Sequence, residues 1–322
     1  MGKRLATIGL GVFLLADIVL VALALRPPSV DADVGAGPPS TVRPSSTAPG
    51  TTATSTGPVT PTPSESASTS AAPKPSAPLP VQRMVVGLDA NNAWRATMGS
   101  CESGGSLVQV TDDGGRTWSK GTSPAKALAR IAPQLNGVGL VYAAGADCTL
   151  QEWVTRDDGA TWTGPTPANN AWTRLLSDVT EVSTPSDANA TPCGTAAVLD
   201  LSRTTPEQAE ALCANGKVVV TNDGGTSWAD SGSAPGAMAL SNRLEAGVLT
   251  SYAARLSSSC AGVQIVRVVQ GRAASPVACV ETDAAPEPGQ VGISAAPAAG
   301  WLVVGKQTWT SGADLRTWKP SA

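Results

Sequence analysis

Eight residues, Thr111-Asp112-Asp113-Gly114-Gly115-Arg116-Thr117-Trp118, return in close copy at 155–162 and again at 221–228. No other feature constrains the fold as much, because self-similar segments at such spacings are the mark of stacked or radial repeat architectures. The shared pattern is Ser/Thr-x-Asp-x-Gly-x-Thr/Ser-Trp. A strand that runs into Asp-Gly-Gly or Asp-Asp-Gly and leaves through Thr-Trp reads as a tight hairpin, since glycine reaches a positive φ without the steric cost of a Cβ. The carboxylates of Asp113, Asp157 and Asp223 are suited to accept backbone N–H bonds inside the turn, with Thr111, Thr155 and Thr221 assisting. Gly115, Gly159 and Gly225 let the chain reverse. Trp118, Trp162 and Trp228 each bring a large ring that one hairpin cannot bury alone, which is a reason for hairpins to stack.

The pattern resembles the Asp-box, or BNR repeat, of sialidases, sortilin-type receptors and the photosystem II assembly factor of plants and cyanobacteria. In those families the box joins the last two strands of a β-propeller blade, and its aspartate is structural and peripheral. The resemblance implies an all-β propeller of about five four-stranded blades. From Trp118 to Trp162 is 44 residues, from Trp162 to Trp228 is 66, and from Trp228 to Trp318 is 90, against roughly 40–50 for a blade. Residues 311–318 keep Thr317-Trp318 but carry Ala313 and Leu315 in place of the aspartate and glycine, a degenerate copy. The 90-residue interval therefore holds a blade without a copy, around 263–280, and the 66-residue interval an insertion. Asn91-Asn92-Ala93-Trp94 and its echo Asn169-Asn170-Ala171-Trp172 mark further strands, as do 138–144, 217–220 and 300–305.

The N-terminal quarter has another character. Residues 1–4 carry Lys3 and Arg4, and 5–25 are almost wholly apolar, about the length needed to span a bilayer. The expectation is a cytoplasmic N-terminus at 1–4 and a transmembrane signal anchor at 5–25. Ala22-Leu23-Ala24 offers a signal-peptide cleavage site, and cleavage there would make the protein secreted. Residues 26–80 are Pro, Ser, Thr, Ala and Gly with almost no charge, too poor in apolar surface to offset ordering entropy, and read as a disordered stalk. Residues 81–322 form the extracytoplasmic propeller.

All six cysteines, Cys101, Cys148, Cys193, Cys213, Cys260 and Cys279, fall in this exported part, and an even count in that setting reads as disulfides. Six cysteines allow fifteen connectivities. Placed on the blades that the resemblance implies, they favour sequential pairing: Cys101 with Cys148, Cys193 with Cys213, Cys260 with Cys279. The stretch 204–212, Thr-Thr-Pro followed by Glu207 and Glu210, carries helix-start signals. It is expected to form a helix or structured loop within an exposed insertion, 187–213, and insertions of this kind often carry the binding face.

There is no histidine, which excludes Ser-His-Asp and Cys-His catalysis and most zinc catalysis. No metal or cofactor is expected. The sialidase resemblance implies an arginine triad, a Tyr–Glu nucleophile and an Asp acid/base. The chain has only Tyr142 and Tyr252, and the family's Arg-Ile-Pro motif is missing ahead of the first repeat; Arg130-Ile131-Ala132-Pro133 follows it instead. Tyr252, Glu245 and Arg255 are the remaining catalytic candidates. The box tryptophans are expected in the core, while Trp94, Trp153, Trp172 and Trp309 are freer to meet a ligand. A net charge of −3 without a basic run argues against nucleic acid. The expected function is a membrane-anchored, non-enzymatic module at the cell surface that binds an envelope protein or glycan, with a sialidase-like glycoside hydrolase as the alternative.

Overall fold

The computed structural model describes residues 78–321. The anchor expected at 5–25 and nearly all of the stalk at 26–80 lie outside the described residues, among which no helix is long and apolar enough to cross a membrane.

The described residues form a ring of five antiparallel blades, with one further two-stranded sheet. Blade one is β1 (Arg83–Gly87), β2 (Ala93–Thr97) and β3 (Leu107–Thr111). Blade two is β4 (Ala127–Pro133), β5 (Gly139–Ala144), β6 (Leu150–Thr155) and β7 (Thr163–Pro167). A short ladder, β8 (Thr173–Arg174) with β9 (Val182–Ser183), follows. Blade three is β10 (Val198–Arg203), β11 (Ala209–Cys213), β12 (Lys217–Thr221) and β13 (Ala229–Ser233). Blade four is β14 (Ala237–Glu245), β15 (Val248–Ser257), β16 (Cys260–Val268) and β17 (Ser275–Glu281). Blade five is β18 (Val291–Ala295), β19 (Ala299–Val304), β20 (Gln307–Gly312) and β21 (Trp318–Pro320). In each blade the strands pair in chain order. The first strands line the axis, and β8 fits between β4 and β10.

In such a meander the first and third turns share one end of the blade, while the second turn and the crossing to the next blade share the other. All three repeats occupy third turns and so gather at one end of the ring. Each is closed by the same bonds. Thr111 Oγ1 donates to Asp113 Oδ1 at 2.9 Å and accepts from the Gly115 N–H at 3.0 Å; Asp113 then accepts from the Thr117 N–H at 3.0 Å and the Thr117 hydroxyl at 2.6 Å. The sets at Thr155/Asp157/Thr161 and Thr221/Asp223/Ser227 repeat this. Gly115, Gly159 and Gly225 sit at φ of 85°, 80° and 95°. In the degenerate fourth copy Leu315 keeps that left-handed conformation at φ 57°, buried, while the Ser311 hydroxyl has no partner.

The apolar core lies in the seams between blades. Trp94, Met98 and Val108 of blade one pack on Leu128, Ile131 and Val141 of blade two. Val85 and Ala93 pack on Ala299, Trp301 and Val303 of blade five. The box tryptophans, half-buried, each stand edge-on to a tryptophan of the preceding element: Trp162 to Trp94, Trp118 to Trp301, Trp228 to Trp172, all with ring centroids 6.2 Å apart. A Cβ on Gly87 would run into the Trp301 indole, and one on Gly139 into Trp94, so glycine there admits the ring.

The disulfides join Cys101 to Cys148, Cys193 to Cys213 and Cys260 to Cys279. Several expectations are corrected. Residues 204–212 are not helical but the turn and second strand of the β10–β11 hairpin; Pro206 lies in the turn, the Thr205 hydroxyl accepts the Gln208 N–H, and ladder bonding to β12 outweighs weak helix propensity. The insertion is therefore 168–197, and 198–213 is body of blade three. Trp94, Trp172 and Trp309 are buried, at 1%, 3% and 6% exposure, because their rings fill seams. Blade one has three strands, with 119–122 running irregularly beside β3 where the Ser119 N–H reaches the Val110 carbonyl.

Candidate binding site in the central channel

The axis is built by a recurring clasp. Ser202 Oγ on β10 accepts from the Asn242 N–H of β14, Ser241 Oγ accepts from the Ala295 N–H that ends β18, and Ser294 Oγ accepts from the Gly87 N–H of β1, at 3.0, 2.9 and 3.0 Å. On three of the five first strands, β10, β14 and β18, a serine hydroxyl thus ties the strand to the next. Around these strands lies a channel cavity of about 230 Å³ lined by β1, β4, β10, β14 and β18. At the crossing end Val81, 1% exposed, spans the ring: its N–H donates to the Leu199 carbonyl at 2.9 Å and its carbonyl accepts from Arg174 Nη2 at 2.8 Å. The other mouth opens at the repeat-turn end beside Arg203.

Among the small, apolar and neutral polar side chains that line this space stand Arg83, Arg130, Arg203 and Arg243. Arg130 of β4 donates to the Trp172 carbonyl at 2.9 Å, and Arg203 at the end of β10 is exposed. Arg174 is buried at 8% exposure. Asp200 is the acid among them, with one oxygen accepting the Leu201 N–H and the other the Leu240 N–H. Among the described residues the ion pairs are Lys217–Asp230 and Arg243–Glu245, so neither Arg130 nor Arg174 has a carboxylate at ion-pair distance. Burial, then the neighbouring charge of Arg203, brings Arg130 down to about 10. Burial also lowers Arg174 and raises Asp200.

The catalytic candidates divide. Tyr252 donates its hydroxyl to Glu245 at 2.8 Å, and Arg243, not Arg255, completes the group, donating to Glu245 through Nε at 2.8 Å. Arg255 lies further along β15 and binds Gln264. Arg243 also donates to the carbonyls of Ala296 and Ala313, fastening the first turn of blade five and the degenerate repeat turn. It does at this seam what the Trp301 and Trp172 N–H groups do at theirs, by donating to Asp89 and Pro206. Burial raises the Tyr252 phenol. Asp113, Asp157 and Asp223 are not among the residues lining the channel, and no group of acids and cysteines able to hold a metal gathers among the described residues.

No protein-family model matches the chain, and no curated protein does. Solved structures similar to it include YCF48 from Cyanidioschyzon merolae, at 15% identity over 76% of this chain and 86% of that one with a TM-score of 0.28. The lectin of Aleuria aurantia in complex with Fucα1-6GlcNAc aligns at 13% identity, 75% and 95% coverage and a TM-score of 0.46. A GH43 endo-arabinanase from Bacillus licheniformis aligns at 12% identity, 77% and 93% coverage and 0.38. The five-bladed ring itself is read from the strand pairings above.

Sequence reasoning missed Asp200 and the roles of Arg174 and Arg243. One signal was available: Asp200 interrupts the apolar run Val198-Leu199-Asp200-Leu201, and a charge inside a buried strand needs a reason. Arg243 becomes legible only when β14 is seen to end against blade five.

Proposed function

We propose that this protein is a single-pass, membrane-anchored propeller, its repeat turns Asp-boxes, that displays the ring outside the cytoplasm and binds an envelope protein or glycan without transforming it. If the anchor is cleaved, the same module is secreted. The observation that carries this reading is the set of groups at the axis. Arg130 and Arg174 are held by backbone carbonyls, and the lone acid Asp200 has both oxygens committed to N–H groups. Such an arrangement grips a ligand, whereas glycoside hydrolysis calls for two carboxyl groups flanking a bond. The test is an affinity capture from the envelope of the source organism with the full-length protein as bait, a glycan array run beside it. The expected outcome is a partner retained by the wild type and lost with Arg203→Glu; retention of nothing overturns the reading.

One observation favours the glycosidase alternative, the Tyr252–Glu245 hydrogen bond. Its phenol is raised by burial and its carboxylate is engaged by Arg243, which opposes use as a nucleophile. Turnover of an array glycan that disappears in Tyr252→Phe would establish that alternative.

A further inference from the structure

The seam where the ring closes, between blades five and one, is apolar over only part of its height. Val85, Ala93, Ala299 and Trp301 pack it toward the repeat turns. Toward the crossing end the same face of blade one, by the two-residue alternation of a strand, carries Arg83, Arg95 and Thr97. A cavity of about 250 Å³ opens there, lined by these three with Gln109 and, from blade five, Val303 and Lys306. No acid is among its lining residues, and the ion pairs among the described residues lie elsewhere.

The two guanidiniums are held by neutral groups alone. Arg83 also borders the channel, but its bonds run to the seam: Nε donates to Gln290 Oε1 at 3.1 Å and Nη1 to the Thr97 hydroxyl. Arg95 donates through Nε to Gln109 Oε1 at 3.0 Å and through Nη1 to Thr308 Oγ1 at 3.1 Å, and its fork lies 4.2 Å from the centroid of the Trp118 ring. These contacts fix both forks and leave the Nη2 donors of each uncommitted among the described residues. Burial lowers both guanidiniums, and the charge of Arg83 lowers Arg95 further. Two like charges drawn partly out of water, with neutral partners only, are unfavourable until an anion joins them.

We propose that this seam cavity is a binding site for a phosphate group, free or carried as a monoester, gripped by Arg83, Arg95 and Lys306. It stands apart from the contacts of the channel and does not depend on what the channel binds. Three cations reach it from β1, β2 and the β19–β20 turn, so the terminal oxygens of a phosphate monoester supply one to each, where a carboxylate has two oxygens for three cations. With no acid in the lining, a dianion gains more than a monoanion. The cavity approaches the size of the smallest ligand pockets and leaves room for a small organic group beside the phosphate.

The experiment titrates inorganic phosphate, glycerol 3-phosphate and, at matched ionic strength, acetate into the full-length protein in low-salt HEPES, following thermal unfolding and tryptophan fluorescence. Trp118 lies against Arg95, so an occupied site should alter both signals. A saturable rise in Tm with at least one phosphate compound is expected, with acetate weaker by about tenfold or more, the factor of one lost charge-assisted contact. Either phosphate compound supports the site, and the tighter one names its source. Lys306→Gln, at an exposed position, should leave the Tm without phosphate unchanged and weaken binding by about tenfold. Adding Arg83→Gln should abolish the response, and Arg203→Glu in the channel should leave it as in the wild type. A wild type that responds to neither phosphate compound up to about 50 mM, far beyond a millimolar Kd, overturns the proposal. So does acetate that matches phosphate, a response undiminished in Lys306→Gln, or a response lost in Arg203→Glu.

Discussion

Trp301 of β19 stands edge-on to Trp118, their ring planes 78° apart, while its Nε1 donates to the Asp89 carbonyl at 2.8 Å. One side chain from the last blade thus touches both the first turn and the repeat turn of the first blade, where the ring closes. Trp301→Ala should cost about 3–5 kcal/mol in a urea titration, and Trp301→Phe less, since a ring without the N–H retains most of the packing. In a double-mutant cycle with Trp118→Ala the two losses should fall short of additive by about 1 kcal/mol. Strict additivity would mean that the edge-on contact adds nothing beyond area.

The disulfides should rank by the chain they enclose. Cys101–Cys148 spans 47 residues and ties blade one to blade two, while Cys193–Cys213 and Cys260–Cys279 span 20 and 19. Constraint of the unfolded chain is worth about 4 kcal/mol for the first and about 3 for each of the others. Replacing each pair by alanines and comparing denaturant midpoints tests the order. A variant lacking Cys101 and Cys148 that is more stable than either other variant contradicts it.

Acid should weaken the repeat turns together. The Thr117 hydroxyl and then its N–H hold Asp113 well below the ordinary 3.8, and the equivalent bonds from Thr161 and Ser227 bring Asp157 and Asp223 to about 2. A carboxylate whose folded pKa is depressed contributes stability that is fully present above its unfolded pKa and is lost as pH falls through the folded one. Tm should therefore be flat above about pH 5 with respect to these groups and fall between about pH 4 and 2. The triple variant Asp113→Asn, Asp157→Asn, Asp223→Asn should be less stable at pH 6 and lose part of that acid slope; an unchanged slope would assign it to other groups.

Glu210 is fully buried on β11, where it accepts from Ser231 Oγ of its own blade and from Asn242 Nδ2 and Ser251 Oγ of blade four. Glu210→Ala leaves three donors unpaired in the interior and should cost about 3 kcal/mol or more. Glu210→Gln keeps the shape and one acceptor, and serine hydroxyls can turn to accept, so its cost should be about half. Chemical denaturation of the two variants checks the ranking.

The outline of this fold was legible because its signals are local. Each repeat turn is specified by residues within four positions of one another, Thr111 to Gly115 and Asp113 to Thr117, so spacing alone located the blades. The blade without a repeat, β14 to β17, was found from the 90-residue interval. The axis was not legible, because its partners are distant in the chain: Arg174 meets Val81 across 93 residues and Arg243 meets Ala313 across 70. The stretch 204–212 misled because Thr-Pro with nearby glutamates serves a helix start and a strand-joining turn alike, and only the pairing with β12 decides.

The two bonds of Val81 also govern how the ring bears a load. Tension arriving from the N-terminal side of Val81 does not fall on β1 alone, since the same residue is fastened to Leu199 of blade three and to Arg174 of the inserted ladder. A pull is shared at the hub among three parts of the circle, and the boundary between the first and last blades is spared the peeling force that a tether on the rim would exert.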